Sequence, residues 1–116
     1  MITTIEQLLA ARLGDYRVIT MSWTTGGENF VVVLSQPASE WVLKLVFVWA
    51  TQLLVRLDFG ESFGEPLLFE TSFNKSQGGT WEAKFDFAGA PNGGLSLCCN
   101  EIIVQSLEKE TYVRSL

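Results

Sequence analysis

The first apolar positions of the chain follow a helical period, and those after Tyr16 follow a period of two. Ile5, Leu8, Leu9 and Leu13 recur at helical spacing. Ahead of them, Thr3-Thr4-Ile5-Glu6-Gln7 holds two overlapping capping boxes, Thr3 with Glu6 and Thr4 with Gln7, either of which satisfies free amide donors at a helix start. This predicts a helix of about three turns, stopped by Gly14 in a left-handed conformation. Arg17 to Trp23 and Asn29 to Leu34 then read as strands around the turn residues Thr24-Thr25-Gly26-Gly27. In the next strand Trp41, Leu43, Leu45, Phe47 and Trp49 fall on one face, with Val42, Lys44, Val46 and Val48 on the other. Both faces are largely apolar, as expected of a central strand.

A further strand is expected from Gln52 to Phe59. No turn signal separates it from Trp49, so a bulge or bend inside Trp41 to Phe59 fits equally well. Leu67 to Phe73 and Trp81 to Phe87 alternate, with Leu67, Phe69, Phe73, Trp81, Phe85 and Phe87 on one side and Glu70, Glu82, Lys84 and Asp86 on the other. Asn74 to Gly79 joins them as a hairpin loop. Ala90-Pro91-Asn92-Gly93-Gly94 is a strong turn signal before Leu95 to Cys99 and Glu101 to Leu107, which are expected to pair antiparallel. The mixed-charge stretch Glu108 to Leu116 fits a strand, a helical turn or a tail. The pattern therefore predicts a single α+β domain over residues 1–116. One N-terminal helix packs on a mainly antiparallel meander sheet of about seven or eight strands. A curved sheet, a flattened barrel and a sandwich all satisfy that pattern.

Composition narrows the class. Hydrophobic residues make up 47% and charged residues 18% of 116 positions, enough apolar material for one core. The longest apolar stretch, Trp41 to Leu57, is broken by Lys44, Gln52 and Arg56, so no membrane span is expected. The start of the chain lacks a basic stretch followed by an apolar one, which points to a cytoplasmic protein. A net charge of −5 is unsuited to nucleic acid or an anionic membrane and suits a basic partner. Cys98 and Cys99 are adjacent and should point to opposite faces of a strand, one in the core and one outside, as reduced thiols.

The chain has no histidine, which removes the commonest general base and metal ligand. Two thiols fall short of a structural zinc site. Gly26-Gly27, Gly78-Gly79 and Gly93-Gly94 lie between strand runs, match no phosphate-binding fingerprint, and read as turn glycines. No catalytic residue, metal ligand or cofactor is assigned, and a non-enzymatic protein is expected. Asp58, Glu61, Glu65 and Glu70 form the densest acidic stretch, with Gly60, Gly64 and Pro66 marking a loop. Asp58, Glu61, Phe63 and Glu65 are the candidate contacts for a basic partner, against the plainer reading of a solvated connection. Trp23, Trp41, Trp49 and Trp81 are expected mainly in the core.

The run Leu45-Val46-Phe47, the strand Leu57-Asp58-Phe59, Trp81 with Phe85-Asp86-Phe87, and the closing Leu95 to Val104 hairpin resemble the small β-rich immunity proteins of bacterial polymorphic toxin systems. The resemblance lies in strand texture and size across Trp41 to Leu107, with no motif to carry over. It implies a non-enzymatic protein that binds and blocks a cognate toxin, presenting acidic side chains to a basic surface. Two other classes fit the pattern: a barrel or cup for a small apolar ligand, and a homo-oligomeric structural module that uses the second apolar face of Trp41 to Trp49.

Overall fold

The computed structural model describes residues 1–57, 66–88 and 93–115. Helix α1 (Ile5–Ala10) is followed by strands β1 (Arg17–Trp23), β2 (Phe30–Ser35), β3 (Trp41–Val48), β4 (Thr51–Arg56), β5 (Leu68–Lys75), β6 (Trp81–Phe87), β7 (Gly94–Cys99) and β8 (Glu101–Glu108), then by helix α2 (Lys109–Arg114). The expected single meander sheet is not formed. The strands make two four-stranded antiparallel sheets, ordered β1-β2-β3-β8 and β4-β7-β6-β5.

The division arises at one level of the chain. Only Trp49 and Ala50 separate β3 from β4, and only Asn100 separates β7 from β8. Asn100 alone cannot reverse the chain, so the antiparallel pair expected between β7 and β8 does not form. Instead β3 pairs with β8 and β4 with β7: Val48 lies opposite Glu101 before the breaks, and Thr51 opposite Cys98 after them. Asn100 N donates to Val48 O at 2.9 Å across the junction. A long two-stranded ribbon thus bends at a corner and passes from one sheet into the other. Trp49 and Gln52 adopt left-handed backbone, φ 53° and 54°, and the register slips between Thr51 and Leu54. That bulge lets the ribbon turn. On the opposite side the edges of β1 and β5 meet through the Arg17–Leu67 bridge. There Val18 N donates to Pro66 O and Leu68 N to Tyr16 O, both at 2.8 Å.

One core fills the space between the sheets. Phe30, Val32, Leu34, Leu43, Leu45 and Phe47 come from the first sheet, and Leu68, Ala83, Phe85, Phe87, Leu95, Leu97 and Cys99 from the second. Phe47 and Phe85 meet edge to face at 6.1 Å and 81°, and Phe73 meets Phe85 at 5.6 Å and 83°. At that level rings occupy the space that an apolar-ligand cup would need open.

The first helix is shorter than its pattern. Its cap is Thr4 with Gln7, where Gln7 N donates to Thr4 Oγ1 and Thr4 N to Gln7 Oε1, both at 3.2 Å. Thr3 is drawn into the same box, donating its amide to Gln7 Oε1 at 2.8 Å, instead of pairing with Glu6. The helix ends at Ala11, and the left-handed position is Asp15, φ 72°, instead of Gly14. Leu13 explains the early stop: it leaves the helix and enters the core with Leu8.

Two strand expectations also change. The register slips between Leu68 and Glu70, so Leu68 turns inward and Phe69 stands 69% exposed. Trp23, Trp41 and Trp49 are exposed, not buried, because they stand at strand ends beyond the cover of the facing sheet; Trp81 is half-buried against the core. Trp23 shields the core edge from outside, its ring edge-on to Phe30 at 5.2 Å.

Gly94 lies within β7 and not in a turn, opposite Asp86 on one side and Arg56 on the other. An added Cβ there would stand 2.5 Å from the Phe85 carbonyl oxygen, a backbone atom that moves only with its strand. Gly94→Ala is expected to lower stability by about 1–3 kcal/mol in urea denaturation. Gly78→Ala is the control, since its nearest new neighbour is Ser76 Oγ at 3.8 Å. It should change stability by less than about 0.5 kcal/mol. Equal midpoints for the two variants would show that the close approach is not a constraint.

Candidate functional site

Asp58, Glu61, Phe63 and Glu65 lie outside the described residues, as do Asp58-Phe59 of the expected strand end. The described surface is dominated by the outward faces of the two sheets, and these differ. Strand alternation places Ser72 and Asn74 of β5, Glu82, Lys84 and Asp86 of β6, Ser96 and Cys98 of β7, and Leu54 and Arg56 of β4 on the outside of the second sheet. Lys84 and Glu82 pair at 3.3 Å. The bare backbone at Gly94 leaves a shallow depression of about 260 Å³ edged by Arg56, Lys84, Asp86 and Ser96. This is a polar, mixed-charge face of the kind that water covers.

The outward face of the first sheet is more apolar, its valines interrupted by Lys44 and Gln105. Its cross-strand rows follow from the registers. Val42 stands opposite Leu107; Val33, Lys44 and Gln105 form the next row; Val31, Val46 and Ile103 the next; and Val48 faces Glu101 at the end. Helix α2 folds back over the first of these rows and packs on β3 and β8. The Tyr112 hydroxyl reaches across the sheet and shares a hydrogen bond with Thr20 of β1, the register partner of Val33. Val33 and Val42 point away from the main core yet are only 2% and 1% exposed. Half of the second apolar face of β3 is therefore explained by α2.

The other half is open. Val31, Val46 and Val48 are half-buried and Ile103 is exposed. Beyond Val48 stands Trp49 at the corner, 56% exposed. Two exposed acids close this end: Glu101, opposite Val48, and Glu28 in the loop between β1 and β2. That loop is fastened to the corner, because Trp49 N donates to Asn29 Oδ1 at 3.2 Å and Ala50 N to Glu28 O at 3.1 Å. Gly26 and Gly27 supply the positive φ values, 100° and 73°, that the loop needs. The structure thus brings Val31, Val46, Ile103 and Glu101 to one face, with Trp49 and Glu28 at the corner beside it, and none of these was singled out as a contact by sequence. The signal was present in the double apolar character of β3, but the neighbours of β3 could not be read.

The cysteines divide as alternation predicts. Cys99 is buried and Cys98 half-buried, and both are free thiols. Burial pushes the Cys99 thiol from 9.0 up to about 11; the nearby Cys98 adds to the rise, and a backbone hydrogen bond at Glu101 opposes it. Cys98 Sγ donates to Gln52 Oε1 at 3.5 Å. Among the described residues no group of three Cys, Asp or Glu side chains is placed to hold a metal ion, and no helix is long and apolar enough to cross a membrane. No family model, curated protein or solved structure matches the chain.

Cys99 holds its proton more tightly in the folded chain than at its ordinary value. Its contribution to stability is thus complete below pH 9.0 and is lost as pH rises toward about 11. Replacing it with alanine is expected to flatten that alkaline loss in pH-dependent urea melts, and an unchanged slope would assign the loss to other groups. At pH 8 a disulfide reagent should modify Cys98 first and Cys99 only after unfolding.

Proposed function

We propose that the chain is a non-enzymatic binding protein that receives a basic protein partner on the outward face of the β1-β2-β3-β8 sheet, the role an immunity protein plays toward its toxin. The observation that carries this reading is the ladder Val31, Val46 and Ile103, which runs unbroken across three paired strands with Glu101 on the same face and exposed Trp49 and Glu28 at the adjoining corner. Protein interfaces have an apolar centre, with tryptophan prominent among the residues that carry binding energy, and a polar rim. An acidic rim on a chain of net charge −5 favours a basic partner through long-range attraction as well as contact. Unpaired thiols suit a reducing cytoplasm. Asp58, Glu61, Phe63 and Glu65 are proposed as a separate acidic contact region and are tested apart from the ladder.

The test measures binding to a basic toxin domain identified from the genes that flank the one encoding this chain. Val46→Arg and Ile103→Arg, in variants that keep the wild-type melting temperature, should each weaken binding about tenfold or more, chiefly by faster dissociation. Glu28→Lys with Glu101→Lys should mainly slow association and reduce its salt sensitivity. Wild-type binding by both ladder variants sinks the reading. Loss of binding only on charge reversal at Asp58, Glu61 and Glu65 moves the site to that segment. Sedimentation of the chain alone separates this from a homo-oligomer, which would show as a dimer that Ile103→Arg dissociates.

A further inference from the structure

We infer that α2 is a hinged strap: it covers one half of the apolar sheet face and lifts away to join that half to the open ladder. The consequence for binding rests on the docking reading above, whereas the motion does not. The strap is held weakly. It has six residues, short of the length at which a helix persists without tertiary support, and none of them is buried. Its N-terminal position, Glu108, makes no side-chain capping bond. Among the described residues its ion pair, Arg114 with Glu110 at 2.5 Å, joins two side chains more than 70% exposed and binds α2 to itself, not to the sheet. Val113 points into solvent, 60% exposed.

The attachment to the sheet is concentrated at two places. At the start of α2, Lys109 N donates to Glu40 O at 2.7 Å and Lys109 Nζ to Gln36 O at 3.4 Å, which fixes the helix to the connection between β2 and β3. At the far side the Tyr112 hydroxyl shares a hydrogen bond with Thr20 of β1. A segment anchored at one end and latched by one side chain at the other opens by swinging about the anchor. What it uncovers is specific. Val33 and Val42 are buried on the face that α2 packs against; Val33 follows Val31 along that face of β2, whereas Lys44 lies between Val42 and Val46 on β3. Opening therefore adds Val33 beside Val31, and Val42 with Leu107 beyond the Lys44–Gln105 pair, to the apolar surface of the Val31–Val46–Ile103 ladder.

Local opening of this kind is read by hydrogen exchange, because segments with few buried contacts open far more often than the whole molecule unfolds. In the full chain the Ser115 amide, which bonds to Thr111 O at 3.2 Å and Tyr112 O at 3.1 Å, is expected to exchange at least ~100-fold faster than the amides of Leu45 and Phe47. Tyr112→Ala should raise the fluorescence of an added anilinonaphthalene dye several-fold while leaving Leu45 and Phe47 exchange unchanged, and Tyr112→Phe, which loses only the hydroxyl, should give an intermediate rise. Ser115 exchange as slow as that of Leu45, or dye fluorescence unaltered in Tyr112→Ala, overturns the strap. If the strap results hold while Val46→Arg leaves toxin binding intact, the docking reading falls and the hinged motion stands.

Discussion

Everything beyond the individual hairpins depends on the corner where β3 passes into β4 beside the passage of β7 into β8. Both strands are interrupted at the same level and neither is reversed, so their pairing continues through the bend. Without that bend the inward residues Leu43, Leu45 and Phe47 would lie in the same sheet as Ala83, Phe85 and Leu97. With it they face one another across a shared interior. The left-handed backbone at Trp49 and Gln52 is a local cost, of the order of 1 kcal/mol per residue, set against burial of large rings worth about 1.5–3 kcal/mol each. Burial wins, and the corner is held in place by Asn29 and Glu28 from the neighbouring loop.

The corner also determines which surfaces are left over. Because the two sheets meet on their apolar sides, each keeps one outward face, and the two outward faces were given different residues. The second sheet places Glu82, Lys84, Asp86 and Arg56 in water. The first places valines there, and α2 returns over part of them. A chain with excess apolar residues on one strand must either cover them or use them. This one does both, on adjacent halves of the same face.

Local features were legible in the residues. The Thr4 and Gln7 box, the turn at Gly26-Gly27, the strand runs and the split of Cys98 from Cys99 all rest on neighbours within a few positions. What failed depended on distant partners. Leu95 to Leu107 has the alternation of a hairpin, and only the single residue at Asn100 betrays that it cannot fold back. The slip between Leu68 and Glu70 leaves no mark on the apolar pattern, so Phe69 read as inward. Trp41 and Trp49 keep the inward register of β3 but extend past the facing sheet. The ladder was illegible for the same reason: Val46 reads as a strand residue, but that Val31 and Ile103 flank it follows only once β8 is known to return to β3. Acid density drew attention to Asp58 to Glu65, whereas Glu28 and Glu101 are each brought to the corner by distant partners, Glu28 through Ala50 and Glu101 through Val48.

The bent ribbon has a consequence for the order in which the chain is made. β1, β2 and β3 are consecutive and pair as they emerge, so the first sheet begins as a local meander. The remaining edge of β3 waits for β8, and β4 has no partner until β7 appears. During synthesis two apolar strand edges therefore stand unpaired while most of the second sheet is still being added, and exposed edges of this kind template association with other chains. Folding of this protein is governed by its last strands, whose arrival closes both edges at once, and a nascent chain stalled between β4 and β7 is the species most in need of a chaperone.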